Sequence, residues 1–199
     1  MGVKTITIIG AAAVGRGIAC VAAQAGYRVV LEDVSIEVLD DALAWIRHTL
    51  DERARCGEHT SEKRDAAIGL ITTSRSVDEA IRKSDLVIEA TLDEMETKLE
   101  IFTLLDKFAK PGAILASTTN SLPLSELAGI TFRAEHCVGM RFMNPAPEMK
   151  RLEIVRAPAT SNETIAACVE VGRRMGNEVV VVSEFAGSTH ERETKWTAA

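Results

Sequence analysis

The chain reads as an α/β fold, a doubly wound, mostly parallel sheet with helices on both faces and a helical arm after the second strand. Two patterns lead there. Short β-branched runs alternate with longer stretches of helical periodicity along the whole chain, and the first run leads straight into a glycine-punctuated turn that opens a helix. Strands are expected over residues 5–9, 28–31, 86–89, 113–117, 137–142, 152–155 and 178–182. Helices are expected over 14–25, 36–55, 95–108 and 162–175, with Gly26 and Gly176 placed as C-caps.

The stretch from Asp33 to Gly69 is too long for one helix and a tight loop, and its middle, 53–65, is highly charged. Two helices joined by a polar turn fit it, so residues 34–69 are expected to form an arm standing off the sheet. Beyond Phe185 the residues are charged and small, with Trp196 the one large apolar group. Residues 1–185 are therefore expected to form the domain, and 186–199 a weakly anchored tail. A length of 199 residues with 46% hydrophobic content supports one sizeable core.

The charge balance excludes some functions. Lys and Arg number 23 against 29 Asp and Glu, a net charge of −6 with both signs interspersed, which argues against a nucleic-acid partner. No apolar run approaches the ~20 residues that span a bilayer, so no membrane partner is expected. Cys20, Cys56, Cys137 and Cys168 are widely separated and suggest neither a metal site nor a disulfide framework. With no leader pattern before the first strand, a cytoplasmic location is expected.

The motif Gly10-Ala11-Ala12-Ala13-Val14-Gly15 sits between the first strand and the first helix. Gly10 permits a sharp turn, Gly15 lets the helix approach the strand, and the unpaired amides at the helix start face a pyrophosphate favoured by the helix dipole. Ala12 stands where a second glycine usually lets the backbone approach the ligand. Asp33, at the end of the second strand, is placed to accept both hydroxyls of a ribose and to repel a 2′-phosphate. NAD is therefore the expected cofactor of a Rossmann-type domain, with Gly10, Ala12, Ala13, Val14, Gly15 and Asp33 around it. The competing reading is a βαβ unit whose glycines serve packing alone.

Five blocks extend the pattern: Gly15-Arg16-Gly17-Ile18-Ala19, Val29-Val30-Leu31-Glu32-Asp33, Asp85-Leu86-Val87-Ile88-Glu89-Ala90, Ile114-Leu115-Ala116-Ser117, and Phe142-Met143-Asn144-Pro145 running on to Lys150. In order and spacing, from Val3 to about Gly187, they resemble the L-3-hydroxyacyl-CoA dehydrogenases. That resemblance implies an NAD-linked interconversion of 3-hydroxyacyl-CoA and 3-ketoacyl-CoA, an oxidoreductase of fatty-acid metabolism. It adds Glu89, Lys98 and Thr118 to the cofactor site, and it implies that the arm touches the CoA portion. It also implies a following all-helical domain, which the chain stops short of. The partners expected are thus an acyl-CoA or small hydroxy-acid substrate, with a second copy or a separate helical protein to close the site. In the arm, Arg47, Arg53, Arg55, Lys63 and Arg64 are candidate phosphate partners, but interleaved Asp51, Glu52, Glu58, Glu62 and Asp65 equally fit a solvated mixed-charge face.

The family's catalytic set is a histidine held by a glutamate, with a serine and an asparagine on the substrate oxygen. Here Glu153 matches the glutamate, Arg141 takes the histidine position and Asn120 the serine position; Glu191 falls where the asparagine is expected. Arginine cannot release its proton near neutral pH, though it can stabilise an oxyanion. The isolated chain is therefore expected to be impaired in turnover, or to be an NAD-binding protein without chemistry, or to act on a free hydroxy acid whose carboxylate Arg141 pairs. His136, His48 and His59 are expected at the surface, His190 in the tail, and Cys20 in the core.

Overall fold

The computed structural model describes residues 2–143 and 150–184, together with the backbone of 193–194. Apolar β-branched runs form β1 (Thr5–Ile9), β2 (Arg28–Glu32), β4 (Leu86–Glu89), β5 (Ile114–Ser117), β6 (Cys137–Met143), β7 (Arg151–Arg156) and β8 (Glu178–Ser183). All agree with the sequence reading to within one residue at each end. The short β3 (Ile71–Ser74) and β9 (Glu193–Thr194) complete the sheet, in the order β3-β2-β1-β4-β5-β6-β7-β8-β9. Pairing is parallel from β3 across to β6, and β6 meets β7 antiparallel. Because β2 and β4 flank β1 on opposite sides, the chain reverses its winding there and leaves a crevice at the carboxyl ends of the strands.

Alternation along β1 explains the two layers. Ile6 and Ile8 point into one core with Val29, Leu31, Leu86 and Ile88, covered by α1 (Ala13–Gln24), α2 (Ile36–Arg55) and α7 (Asn162–Arg174). Ile9 faces the other core with Val87, Leu115, Phe102 and Ile81, covered by α4 (Val77–Ile81), α5 (Met95–Phe108) and α6 (Leu124–Gly129). Cys20 is a core residue as expected, 0% exposed, and burial pushes its thiol up to about 11.

The sequence missed β3, α4, α6 and the 3-10 turn Ala134–His136. Each is short, and Ile71-Thr72-Thr73-Ser74 lacks the apolar run that marks the other strands, because it closes the edge with Thr72 and Thr73 exposed. The arm is corrected in part. It is two helices, α2 and α3 (Ser61–Gly69), capped by Ser35 and Thr60. It does not stand off, because Leu39, Ala42, Ile46, Leu50 and Ala67 enter the core beside α1. A further lock is the Arg16 guanidinium, 4.7 Å from the Trp45 ring centroid. His59 is corrected too. Rather than facing solvent alone, its Nε2 lies 3.0 Å from the Gln24 Nε2, tying the loop between α2 and α3 to α1. His48 is exposed, and His136 is half-buried in the turn before β6. The expected tail, with His190 and Glu191, lies outside the described residues apart from the backbone of Glu193–Thr194, which pairs with β8.

Close packing sets one testable cost. A Cβ on Gly172 of α7 would lie 2.5 Å from Leu152 Cδ2 and 2.8 Å from Val179 Cγ2. Gly172→Ala is expected to destabilise the fold by about 1–3 kcal/mol through overpacking, as a lower urea midpoint with unchanged slope.

Candidate functional site

The site begins with the turn from β1 to α1. Gly10 adopts φ +95, a left-handed conformation, and a Cβ there would sit 3.0 Å from the Ala90 carbonyl oxygen. At Gly15 a Cβ would lie 1.8 Å from the Gly10 carbonyl oxygen, so no side chain fits. Ala12 has φ −65 and ψ −169, which any residue adopts; its methyl therefore costs the turn nothing. Ala12, Ala13 and Val14 are exposed at the carboxyl edge of the sheet.

Two features fit this turn to a bound anion. No side chain of the described residues caps α1, and no acid occupies its first turn, whereas α4, α5 and α6, equally without a side-chain cap, each have one there. Opposite it, Asp33 directly follows β2, with Oδ2 accepting the Ala11 N–H at 3.0 Å and Oδ1 accepting the Ser35 N–H at 3.1 Å. The carboxylate is thereby held rigidly beside the turn and is half-buried. These are the donors and the acceptor that a dinucleotide's pyrophosphate and ribose require.

Glu89 and Lys98 meet, but below the surface. At 0% exposure each, they form an ion pair, Lys98 Nζ lying 2.8 and 2.7 Å from the two Glu89 oxygens. Glu89 also accepts from the Thr91 N–H and hydroxyl, each at 2.7 Å, and from Ser117 Oγ at 2.7 Å. Both side chains are engaged in joining β4, β5 and α5. Thr118, half-buried, donates its N–H to the Glu89 carbonyl at 3.0 Å.

Asp93, which the sequence reading overlooked, organises the neighbouring loop. Its Oδ2 accepts from Ser121 Oγ at 2.8 Å and from the Asn120 N–H at 3.4 Å, and Lys98 Nζ lies 3.8 Å from Oδ1. Burial raises this carboxyl, but hydrogen bonds from Thr119 and Ser121 and the Lys98 charge outweigh it and hold the group below its ordinary value. Asn120 itself is exposed.

Arg141 and Glu153 are directly paired across β6 and β7. Gly139 is the residue of β6 in register with Ser117, so Arg141 lies beyond the end of β5, on the same side as the glycine turn. Arg141 Nε donates to the Thr119 carbonyl at 2.9 Å, which brings it to the loop of Asn120. Glu153 is 3% exposed, with Oε1 3.2 Å from an Arg151 nitrogen. The three catalytic candidates therefore converge on one strand junction. The block 144–149 lies outside the described residues.

Three of the arm's five candidate cations are engaged with its own acids: Arg55 with Glu52 at 2.6 Å, Arg64 with Asp51 at 2.7 Å, and Arg53 with Glu58 at 3.7 Å. This supports the mixed-charge face. Among the described residues there is no metal-binding group of acids, histidines and cysteines, and no helix is long and apolar enough to cross a membrane.

A glycine turn at the switch point, an uncapped helix start and the acid Asp33 just after β2 define a dinucleotide-binding α/β domain. Residues 5–185 match the family described as 3-hydroxyacyl-CoA dehydrogenase, NAD binding domain, and the chain belongs to it. It is 38% identical over 192 residues to a probable 3-hydroxybutyryl-CoA dehydrogenase of Bacillus subtilis, covering 96% of this chain and 67% of that protein. It is 35% identical to the mitochondrial hydroxyacyl-coenzyme A dehydrogenase of Sus scrofa, covering 93% and 60%. The crystal structure of (S)-3-hydroxybutyryl-CoA dehydrogenase from Ralstonia eutropha matches with a TM-score of 0.89 and 31% identity, over 94% of this chain and 65% of that one. The chain thus spans about 60–67% of the length of these relatives.

Breaking the buried pair gives a direct test. Lys98→Met leaves Glu89 buried without its counter-charge and is expected to cost about 3–5 kcal/mol in urea denaturation, far more than an exposed pair such as Arg82–Asp78.

Proposed function

We propose that residues 1–185 are the cofactor-holding part of an NAD-dependent 3-hydroxyacyl-CoA dehydrogenase, interconverting 3-hydroxyacyl-CoA and 3-ketoacyl-CoA. The observation that carries this is the convergence, at the carboxyl edge of the sheet, of the uncapped α1 turn, Asp33 and the Arg141–Glu153 strand pair. When bound, NAD supplies the hydride acceptor. Asp33 accepts the ribose hydroxyls, and the amides of Ala12, Ala13 and Val14 face the pyrophosphate over Gly10 and Gly15. Glu89 and Lys98 hold the end of β4, with Thr118 beside it. Asn120 and Arg141 bind the substrate oxygen, and Glu153 lies beside Arg141 on the neighbouring strand.

Arg141 sets the limit of this chemistry. A guanidinium stays protonated, so it stabilises an oxyanion but does not take the hydroxyl proton. Loss of an acid/base group typically costs about 10²–10⁴ in rate, and the isolated chain is proposed to be slow for that reason. The same residue supports a second reading, in which the chain binds NAD without turnover or acts on a free hydroxy acid whose carboxylate pairs with Arg141. Cys20, Cys137 and Cys168 are buried free thiols, which supports placing the chain in the reducing cytoplasm.

Oxidation of NADH with acetoacetyl-CoA tests the reaction. The native chain is expected to turn over slowly, and Arg141→His to raise the rate about 10²-fold or more. NADH binding with silence from both proteins would favour the non-catalytic reading. Separately, Asp33→Ala is expected to weaken NADH about 10- to 100-fold in a fluorescence titration, the range of hydrogen bonds to a charged group.

A further inference from the structure

Glu32, the last residue of β2, is a buried acid that the proposed chemistry does not use. It is in register with Ile9 on one side and Ser74 on the other, and Ile9 is in register with Glu89. Ser74, Glu32, Ile9 and Glu89 therefore form one row on one face of the sheet, the face that packs beneath α4 and α5. The two glutamates of that row have opposite surroundings. Glu89 is satisfied by Lys98, Thr91 and Ser117, whereas Glu32 is 2% exposed and its Oε1 has no hydrogen-bond partner among the described residues.

Among the described residues, the neighbours of Glu32 supply no cation to offset a charge. On its own strand the next residue is Asp33. Ile9 of β1 is apolar, and Ser74 of β3 donates its hydroxyl to the Ser76 carbonyl at 3.0 Å. On α4, Asp78 is taken by Ser76 and Arg82, and Glu79 is exposed. Lys98 is spent on Glu89, and Arg75 is exposed with its Nε on the Val34 carbonyl at 3.2 Å. Burial, reinforced by the charge of Asp33, raises the Glu32 carboxyl to about 7. The backbone of Glu32 is meanwhile part of the glycine turn, its carbonyl accepting the Gly10 N–H at 2.9 Å, one residue before Asp33 takes the Ala11 N–H.

We propose that Glu32 is a positioning residue of the adenosine-ribose subsite, acting through Asp33: it carries a proton while the cofactor is bound, and its ionisation at higher pH loosens the hold of Asp33 on the ribose. This rests on the cofactor reading above. The link is electrostatic. An adenosine seated on Asp33 takes water from around that half-buried acid, so its charge is screened less, repulsion between the two acids grows and the proton on Glu32 is held more tightly. Binding above pH 7 must then take up a proton, and by reciprocity a loss of that proton weakens binding.

The sign for folding follows the same carboxyl. Its value in the folded chain, about 7, lies above the ordinary 4.5. The stabilisation it gives is complete below pH 4.5 and is lost as the pH rises through 7.

The test compares the native chain with Glu32→Gln, which mimics the protonated acid. NADH affinity, read by fluorescence at pH 6 and pH 8.5, is expected to fall roughly three- to tenfold in the native chain and to stay level in the variant. Calorimetry of NADH binding to the native chain at pH 7.5, in two buffers of different ionisation enthalpy, is expected to show net proton uptake and needs no variant. Equal pH profiles in the two proteins, or no proton uptake, would overturn the inference while NADH binding itself upheld the cofactor reading. Absence of NADH binding to the folded native chain at either pH would overturn the cofactor reading, and this inference with it. Thermal melting of the unliganded proteins reports on Glu32 alone: the variant is expected to gain on the native chain between pH 5 and pH 8.5, and parallel melting curves would show that Glu32 holds no proton.

Discussion

The contact between Gly15 and the Gly10 carbonyl is the constraint on which the cofactor side of this molecule depends. With room for only a hydrogen between them, α1 starts directly against the end of β1. That approach leaves the first amides of α1 at the crevice with no side chain over them. It also brings the Ala11 amide within reach of Asp33, so the acid, the turn and the helix form one rigid unit. A site assembled this way loses little ordering entropy when a ligand arrives, because its donors and acceptor are already held.

The substrate side is organised differently, by a reversal of strand direction. The antiparallel entry of β7 is what puts Arg141 and Glu153 side by side although twelve positions separate them in the chain. The parallel pairing of β5 with β6 brings the loop after β5 to the same place, and the Arg141 bond to the Thr119 carbonyl fastens it. The strand register that sets positions 141 and 153 side by side does not depend on which side chain stands at 141, whereas the tie to the loop after β5 does.

Most of the architecture was legible because the signals that specify it are strong. Periodic apolar positions marked α2 and α5 to the residue, and the glycine spacing located the turn. What escaped was short or polar. β3 is held by β2 rather than by apolar pattern of its own, and α4 and α6 have only five and six residues. At the site, Asp33 and the glycines could be read because their function requires fixed positions relative to a strand. The burial of Glu89 with Lys98, the bond from Ser121 to Asp93 and the stranded Glu32 oxygen depend on which faces of distant elements meet, and no local spacing records that.

The outer strand β3 has a consequence for how such chains behave at high concentration. An edge of the sheet offers unpaired backbone groups to any passing strand, and long apolar edges recruit copies of themselves into fibres. Here the edge is four residues long with two exposed threonines. It is too short and too polar to template growth, so the sheet is guarded at this flank against stacking into aggregates.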